Sequence, residues 1–368
     1  MGAAEAIGKN PLAAGRFVPE IARDRETFDH LVRASSDYKA DQLWGWGESR
    51  RLLGWEPMRY VLPRSEGDPV PVSLETRKLP IGGRLALMTV PRPLPNRDAV
   101  QSLSRSLLDI GKAIGAIAVT LVADFPGSEH PGLADEMAAA GMVPSSLVRP
   151  RMRTIIVELS NDADTLFQSM SYGTRRDARK AMRSGVSVRR ADDEGSMATF
   201  CELYAEMCAQ KGLPGFPLAF FQRIWKELVL PGDLRLFLAE HDGRPIGGTI
   251  VACEPHGYLM AFSAHRRERP DVGASRLLEW EIIRDAKSRN LRYYDLGGIP
   301  FESADDGVRV QQEGKGQVFW KAGFGGTLTD SVGSFDLVVN PVMYSMLRLF
   351  RAGELYQKLK RLTGKRWL

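Results

Sequence analysis

The order of predicted elements between residues 234 and 296 is the feature that most limits the possible folds. Three apolar or alternating runs indicate antiparallel strands at residues 234–240, 245–254 and 257–264. The segment His241-Asp242-Gly243-Arg244 is typical of a hairpin turn between the first two strands. A loop containing Gly273 then leads to a predicted helix at 277–289 and a fourth strand at 292–296. This order predicts an α/β (α+β) unit in which a helix connects the third strand to the fourth.

The first half of the chain has a similar order of predicted elements. Strands are predicted at 59–63, 70–79 and 84–89, followed by a helix at 100–114 and a buried strand at 116–123. A chain of 368 residues also exceeds the usual size of a single core. We therefore predict two domains related by an internal structural duplication.

Composition excludes several classes of protein. The three cysteines (Cys201, Cys208 and Cys253) lack CxxC spacing, which argues against a disulfide framework and a zinc site and is compatible with a reducing cytoplasm. The five histidines are scattered, so no metal site is predicted. Residues 1–16 lack the apolar core of a signal peptide, and the longest apolar run, 113–123, is shorter than the roughly 20 residues of a membrane-spanning helix.

One lysine stands in an apolar, glycine-bounded context near the end of the chain. Tyr293-Tyr294-Asp295-Leu296 is a predicted strand that ends at Gly297-Gly298, where the backbone can turn or lie close to a ligand. Farther along, the apolar run Val318-Phe319-Trp320-Lys321 is closed by glycines. Such a lysine is either a surface residue at the end of a strand or a positive charge placed where negative charge develops in a reaction.

Two segments are strongly basic. Five cations fall within nine residues and face one acid, Asp177; they are Arg175, Arg176, Arg179, Lys180 and Arg183. This pattern fits a solvated helix face or a phosphate-binding surface. Residues 344–368 predict a basic amphipathic helix, suited to an anionic membrane surface, to a nucleic-acid backbone, or to docking on the second domain.

The catalytic motifs that are absent narrow the possible chemistry. The sequence contains no GxSxG nucleophile elbow and no P-loop. A reaction that needs only positioning and one charge remains possible. Transfer of an activated acyl group to an amine is such a reaction, because the ester or thioester is already reactive and the tetrahedral intermediate mainly needs its oxyanion stabilised.

A set of motifs in consistent order resembles the FemABX family, whose members build peptidoglycan interpeptide bridges with amino acids taken from aminoacyl-tRNA. The motifs are VPRPLP at 90–95, TIIVEL at 154–159, SYGTRRDARKA at 171–181, YDLGG at 294–298 and FWKAGFG at 319–325. The resemblance extends from about residue 42 to residue 341. It implies two tandem GNAT-like domains (the acyl-CoA N-acyltransferase fold), without a long coiled-coil arm, and an acceptor bound in a cleft between them.

The resemblance also implies roles for individual residues. Lys321 takes the position of the family's catalytic lysine, which stabilises the oxyanion or the departing ribose hydroxyl. Arg50, four residues after Trp46, takes a position at which the family contacts the phosphates of the acceptor. The expected substrate-binding residues are Trp46, Arg50, Arg92, Asp98 and Trp320. The expected tRNA-binding residues are Arg175, Arg176, Arg179, Lys180 and Arg183.

Two departures from the family pattern keep alternatives open. The usual Pro-Arg-Gly-Pro is here Pro91-Arg92-Pro93-Leu94, and Pro214-Gly215-Phe216-Pro217 stands where relatives carry a substrate-binding arginine. One alternative is aminoacyl-tRNA-dependent modification of a small metabolite. Another is an acyl-CoA-dependent N-acyltransferase, since residues 269–275 lie where a GNAT pyrophosphate loop would be. A third is a basic RNA-binding or membrane-binding module that has lost catalysis.

The leading hypothesis assigns a function to each part of the chain. We predict a flexible arm (1–23), a first GNAT-like domain (24–152), a second one (153–343, with 153–195 as a shared boundary) and the basic helix (344–368). The expected activity is transfer of an amino acid from aminoacyl-tRNA, as co-substrate and without any other cofactor, to an amine of a peptidoglycan precursor that is lipid-linked or nucleotide-linked. The expected location is cytoplasmic, with peripheral contact at the inner face of the membrane.

Overall fold

The computed structural model describes residues 20–62, 69–79, 82–92, 94, 96–145, 147, 153–266, 271–299 and 316–352. The strands are β1 (Glu20–Ile21), β2 (Glu56–Leu62), β3 (Val70–Lys78), β4 (Arg84–Thr89), β5 (Ala116–Pro126), β6 (Val143–Pro144), β7 (Arg153–Glu158), β8 (Ser187–Ala191), β9 (Leu234–His241), β10 (Arg244–Cys253), β11 (Gly257–His265), β12 (Tyr293–Gly298) and β13 (Thr327–Val338). The helices are α1 (Arg25–Ala34), α2 (Trp44–Arg51), α3 (Arg97–Ala113), α4 (Leu133–Ala139), α5 (Ala163–Ser169), α6 (Tyr172–Arg183), α7 (Glu194–Lys211), α8 (Leu218–Ile224), α9 (Ala274–Ser288), α10 (Gln317–Ala322) and α11 (Pro341–Ala352). The predicted arm at 1–23 lies outside the described residues up to position 19.

All of these strands belong to one continuous sheet with the order β1-β2-β3-β4-β5-β13-β7-β12-β11-β10-β9-β8, and β6 pairs with β13. The long strand β13 joins the two halves of the sheet. Its first part, from Thr327 to Asp330, pairs with β7, and its second part, from Ser331 to Val338, pairs with β5. We call the half that contains β1–β6 the first unit and the half that contains β7–β12 the second unit.

Each unit repeats the same sequence of elements. Three antiparallel strands are followed by a helix and by a strand parallel to the third: β2, β3, β4, α3 and β5 in the first unit, and β9, β10, β11, α9 and β12 in the second. The predicted α/β fold with two tandem GNAT-like units is therefore confirmed. The longest helix of the described residues, α7, has 18 residues, so they contain no long coiled coil.

The two parallel strand pairs differ in how far they stay paired. In the first unit β4 and β5 pair over six positions, from Arg84 with Ala116 to Thr89 with Val122. In the second unit β11 and β12 pair over three positions only, ending at Leu259 with Asp295. Beyond this point β12 continues beside β7, while β11 diverges. A gap therefore opens within the sheet of the second unit.

The segment between β1 and α2 packs on the second unit. Phe28 of α1 and Leu43 lie in one buried cluster with Phe221 of α8 and Leu236 of β9. Residues of α7 also belong to this cluster. Ion pairs join the same surfaces, including Arg33 to Asp233 at 2.8 Å. This packing holds the connection between α1 and α2 across both units.

Local signals placed most element boundaries correctly, with one important exception. Asp24, Asn96, Asp162 and Asp193 cap α1, α3, α5 and α7 through their side chains. The apolar run at 318–321, however, is helical in α10 and does not form the strand end considered above. Val318 and Lys321 are both buried there because residues three apart share one face of a helix.

Helix α11 contains the described start of the basic tail. Its Tyr344 and Leu347 are buried against Leu85 and Ile117, and the Tyr344 hydroxyl donates to Asp336 at 2.8 Å. This part of the tail therefore docks on the first unit, whereas docking on the second domain was the alternative considered from sequence. Residues 353–368 lie outside the described part of the chain. No helix within the described ranges combines the length and apolarity needed to cross a bilayer.

Candidate functional site

A cleft of about 440 Å³ lies where β11 and β12 diverge. One wall comes from the connection between α1 and α2, from α2 and from the first unit; it includes Lys39, Asp41, Trp46, Arg50, Thr89 and Asp124. The other wall comes from the second unit and includes Glu254, Met260, Phe262, Gly297, Gly298 and Lys321. The cleft is thus shared between both units.

Lys321 lies at the base of this cleft. Its side chain projects from α10, the residue is only 3% exposed, and its Nζ donates to the carbonyl oxygens of Gly297 at 2.7 Å and Gly298 at 2.8 Å. These neutral oxygens orient the ammonium group without cancelling its charge. The arrangement holds a positive charge in a largely water-excluded place, where it acts strongly on a developing anion.

The end of β12 is shaped to present these carbonyls. Gly297 has φ of +76°, a left-handed conformation that favours glycine, and a Cβ at this position would lie 3.0 Å from the carbonyl oxygen of Met260. Asp295 fixes the turn because its Oδ1 accepts from the backbone N–H of Gly297 at 2.7 Å and from the Thr154 hydroxyl. The predicted Gly-Gly turn therefore has a defined role in holding Lys321.

A buried carboxyl group lies behind the cleft. Glu279 of α9 is fully buried, and it accepts hydrogen bonds from Tyr294 Oη at 2.5 Å and Thr249 Oγ1 at 2.8 Å. Burial disfavours the charged form and raises the pKa of Glu279 to about 7, although these hydrogen bonds and the charge of Lys321 oppose the rise. This group changes charge near neutral pH within the core that supports the site.

A second lysine and a carboxylate form a buried pair at the same cleft. Lys39 Nζ lies 2.6 Å from Glu254 Oε2, and the same oxygen accepts from the Tyr293 hydroxyl at 3.0 Å. Burial opposes the charge of Lys39, but the carboxylate of Glu254 more than compensates, so the pKa of Lys39 is raised. The pair connects the segment before α2 to the second unit.

Arg50 and Trp46 lie on one face of α2, four residues apart. Arg50 Nη2 is 2.9 Å from Glu75 Oε2, and its guanidinium lies over the Trp55 ring at 5.0 Å. Burial, together with the neighbouring Asp41 carboxylate, raises the pKa of Glu75 to about 7, although Arg50 opposes this. Trp46 stacks against Phe262 with 6.5 Å between ring centroids, which brings the two walls into contact.

Several buried polar atoms on the walls of the cleft form no hydrogen bond. Among the described residues these atoms are Asp41 Oδ1, Arg50 Nε and Glu254 Oε1. Buried polar atoms without a partner are rare and costly in folded proteins. Their presence on one cleft is expected of a site that completes its hydrogen bonds with a bound ligand.

The predicted site residues divide into two groups. Lys321, Arg50 and Trp46 line the cleft together. Trp320 does not: it packs against Phe324, with 5.1 Å between centroids, and its carbonyl accepts from Arg276 at 2.6 Å. It packs at the edge of the second unit's core, outside the lining of the cleft.

Arg92 and Asp98 also lie outside the lining of the cleft. Arg92 borders a neighbouring cavity of about 290 Å³, where its guanidinium lies 4.4 Å from the centre of the Phe125 ring and 3.2 Å from His130 Nε2. Asp98 is exposed in the first turn of α3. Neither residue contacts the lysine site.

The predicted tRNA-binding residues lie on α6, and four of the five are exposed. The fifth, Arg175, is half-buried and donates to the carbonyl oxygens of Gln168 and Met170 at the end of α5. Arg179 lies over the Phe167 ring at 5.0 Å, and Lys180 donates to the carbonyl of Asp271. The exposed cations, Arg176, Arg179, Lys180 and Arg183, form one surface beside α9.

The start of α9, where a GNAT pyrophosphate loop was considered, is closely packed in the part that the structure describes. The Gly273 N–H donates to the side chain of Asp271 at 2.8 Å. A Cβ on Gly273 would collide with the carbonyl of Asp177 on α6. An acid and a neighbouring helix therefore lie where a phosphate would have to approach the N-terminus of α9.

Sequence reasoning missed four acidic or basic residues of the site: Lys39, Asp41, Glu254 and Glu279. Glu254 and Lys39 are 215 positions apart, and only the packing of α1 and α2 on the second unit brings them together. The sequence gives only weak signals for these residues. Glu254 is a charge at the end of an apolar strand, and Lys39 and Asp41 are charges just before α2. Among the described residues, no cluster of three or more His, Cys, Asp or Glu side chains could hold a metal ion.

Comparisons with known proteins agree with this architecture. A family model described as an acetyltransferase (GNAT) domain matches residues 168–306. The UDP-N-acetylmuramoylpentapeptide-lysine N(6)-alanyltransferase of Weissella viridescens is 24% identical over 338 residues, covering 88% of this chain and 96% of that protein. The lipid II:glycine glycyltransferase of Staphylococcus aureus (strain MRSA252) is 26% identical over 229 residues, covering 58% of this chain and 53% of that protein.

A solved structure extends the agreement to the whole fold. The crystal structure of FemX superposes with a TM-score of 0.76 at 19% identity, covering 89% of this chain and 100% of that one. The predicted resemblance is therefore confirmed both by similar sequences and by a similar arrangement of two GNAT-like units. The chain is thus similar in sequence to alanyl- and glycyltransferases of peptidoglycan precursors, contains a GNAT domain, and has the fold of FemX.

Proposed function

We propose that this protein transfers an amino acid from aminoacyl-tRNA to an amine of a peptidoglycan precursor by direct aminolysis. The observation that carries the proposal is Lys321, a buried ammonium group held by two carbonyls at the base of a cleft between the units. The similarity to transferases named for muropeptide and lipid II acceptors supports the class of acceptor.

The reaction needs no covalent intermediate on the enzyme. The acceptor nitrogen attacks the carbonyl carbon of the aminoacyl ester, and the π electrons move to the carbonyl oxygen. Lys321 stabilises this oxyanion by charge and hydrogen bonding. The intermediate collapses, the ester C–O bond breaks, and the proton lost by the amine is transferred to the departing ribose oxygen. The products are an amide and uncharged tRNA.

The cleft and the exposed surface of α6 offer separate places for the two substrates. Arg50, which Glu75 holds by an ion pair, and Trp46 place a guanidinium and an aromatic ring on one wall of the cleft, suited to the anionic part of the acceptor. The exposed cations of α6 supply a surface for the phosphates of the donor RNA. Donor and acceptor would then meet at Lys321, between the two surfaces.

Acyl-CoA is a weaker candidate for the donor. A coenzyme A pyrophosphate would need free backbone N–H groups at the start of α9. The Gly273 N–H is already bonded to Asp271, and α6 covers this end of the helix. We therefore favour a donor whose phosphates lie on α6 over one whose phosphates lie at α9.

The test is to incubate the purified protein with charged tRNA and either a nucleotide-linked or a lipid-linked precursor, and to measure the mass of the precursor. We expect a gain of one or more amino-acid residues that ribonuclease pretreatment abolishes. A gain with acetyl-CoA in place of tRNA would contradict the proposed donor. Deacylation of tRNA by small amines, with no change in either precursor, would contradict the proposed acceptor and favour decoration of a small metabolite.

A further inference from the structure

Asp41 lies in the cleft without a cationic partner among the described residues. It belongs to a short 3₁₀ turn (Ala40–Gln42) between α1 and α2, and its Oδ2 accepts one hydrogen bond, from Thr89 Oγ1 at 2.7 Å. Its Oδ1 is buried and accepts none. A buried carboxylate oxygen in this situation has lost water without gaining a donor.

The other charged groups near the cleft have partners that neutralise or hold them. Lys39 pairs with Glu254, and Arg50 pairs with Glu75. Lys321 is bonded to two carbonyls. Glu254 also keeps a buried oxygen without a partner, but Lys39 already balances its charge, so a neutral donor would suffice there. Among the charged groups named here, Asp41 differs in two ways. Its hydrogen-bond partner is a hydroxyl group, that of Thr89, and it has no paired cation.

The surroundings of Asp41 add negative charge. Glu75 is close enough to be influenced by the charge of Asp41, and the guanidinium of Arg50 forms its ion pair with Glu75. A ligand that brought a positive charge to Oδ1 would relieve both the repulsion and the missing hydrogen bond. An anionic or purely apolar ligand group would relieve neither.

Resting on the function proposed above, we propose that Asp41 binds the amine-bearing group of the acceptor and thereby aligns the attacking nitrogen in the cleft. An ammonium group donates to Oδ1 when the acceptor binds. It then releases one proton to solvent, and the resulting neutral amine keeps one N–H donated to the same oxygen while its lone pair turns to the ester. Thr89 holds the other oxygen, so the carboxylate has a fixed direction. Asp41 is in this account an acceptor-positioning residue, and Lys321 acts on the opposite reactant.

Binding measurements without any donor separate this role from catalysis. The probes are two nucleotide-linked muramoyl pentapeptides, one with lysine and one with meso-diaminopimelate at the third position. Each is used with its side-chain amine free or acetylated, and its Kd is measured by calorimetry. We expect the wild type to bind at least one free-amine probe roughly 10-fold or more tightly than its acetylated form, because a charge-assisted hydrogen bond is lost on acetylation.

The diagnostic variant is Asp41→Asn, which keeps the shape of the side chain and an oxygen for Thr89. It should bind both forms of the probe about equally. The matched control, Asp109→Asn, removes an exposed carboxylate from α3 and should keep the preference of the wild type. Thr89→Val, in which Asp41 remains but loses its fixed direction, should reduce the preference without abolishing it, and it keeps the test decisive if Asp41→Asn is poorly folded.

Each result has a distinct meaning. A preference for the free amine that persists in Asp41→Asn would overturn the inference and place the amine on another acid of the cleft, Asp124 or Glu254. Equal binding of both forms by the wild type would also overturn it, while leaving the proposed transfer reaction intact. If the wild type binds none of the probes and also fails to modify a lipid-linked precursor, the acceptor class itself is wrong and the role of Asp41 falls with it.

Discussion

The two parallel strand pairs of this molecule have the same place in their units but different geometry. In the first unit β4 and β5 remain paired along six positions, and the sheet is closed. In the second unit β11 and β12 part after three positions, and the carbonyls of Gly297 and Gly298 face Lys321. The comparison shows how one repeated fold can form a closed scaffold in one copy and hold the candidate site in the other.

The difference between the two strand pairs also explains which residues each part of the molecule contributes to the cleft. The pair β11–β12, which we call the open pair, supplies the carbonyls that hold Lys321 of α10. The opposite wall of the cleft includes Asp41 from the turn before α2, and Trp46 and Arg50 from α2. The strand β13 connects both units in one sheet, so these walls have a fixed relation. The first unit is therefore expected to affect acceptor binding, and the second unit to affect the chemical step.

The largest expected effect is on turnover, when the positive charge of Lys321 is removed from the end of β12. Lys321→Met should lower turnover about 100-fold to 1,000-fold, since one group that stabilises an oxyanion is lost. Transfer rates with saturating substrates measure this, and tRNA binding should be unchanged. Lys287→Met is the matched control, because Lys287 also donates to two backbone carbonyls, those of Leu159 and Ser160, but lies outside the cleft lining. Equal losses in the two variants would mean that Lys321 has a structural role only.

The next effect tests the shape of the gap itself. Gly297→Ala and Gly141→Ala both place alanine at a left-handed φ, +76° and +84°, which costs about 1–2 kcal/mol in each case. Only at Gly297 does the added Cβ approach a backbone oxygen, that of Met260 at 3.0 Å, whereas nothing lies within 4 Å at Gly141. We expect similar losses of thermal stability at first order, but a roughly 10-fold or larger loss of turnover in Gly297→Ala alone. Normal turnover there would show that the turn does not position the lysine.

A smaller effect is expected from the basic surface of α6. Replacing Arg176, Arg179 and Arg183 by alanine should weaken tRNA binding and reduce the slope of log K against log salt by roughly 2–3, since each lost phosphate contact contributes about 0.7–0.9. Arg105→Ala, on the exposed face of α3 in the first unit, should leave the slope unchanged. An unchanged slope in the triple variant would move the RNA-binding surface away from α6.

The smallest effect concerns the pH dependence of stability that the buried carboxyl group of Glu279 produces. The pKa of Glu279 is raised to about 7 from an ordinary value of 4.5, so the folded state binds more protons than the unfolded state between these pH values. The contribution of this group to the free energy of unfolding therefore falls as pH rises from about 4.5 to about 7. Glu279→Gln should lack this component, so the difference in Tm between wild type and variant should change across that window. A pH-independent difference would contradict the raised pKa.

Sequence patterns predicted the repeated strand and helix order because it depends on local periodicity and capping. They did not predict the helical state of α10, since Phe319 and Trp320 fit a strand equally well by propensity, and the burial of Val318 and Lys321 decides the outcome. They also could not predict the early separation of β11 and β12. That separation accompanies an irregular register between β12 and β7, which is a long-range pairing.

The residues of the candidate site likewise divide into those that the sequence predicts and those that it does not. Lys321, Arg50 and Trp46 could be predicted from the family resemblance, and the structure places all three on one cleft. Asp41 and Glu254 could not, since their burial and missing partners arise from elements more than 200 residues apart that pack together. Arg92, Asp98 and Trp320, expected at the site from the same motifs, lie away from the lining of the cleft.

The most direct test of the account is a crystal structure with a non-hydrolysable aminoacyl-adenosine, in which an amide replaces the ester. We expect the aminoacyl group to lie in the gap between β11 and β12, with its carbonyl oxygen about 2.7–3.2 Å from Lys321 Nζ. Density for the ligand at the start of α9, or against the closed pair of the first unit, would contradict the assignment of the open pair as the place of the reaction.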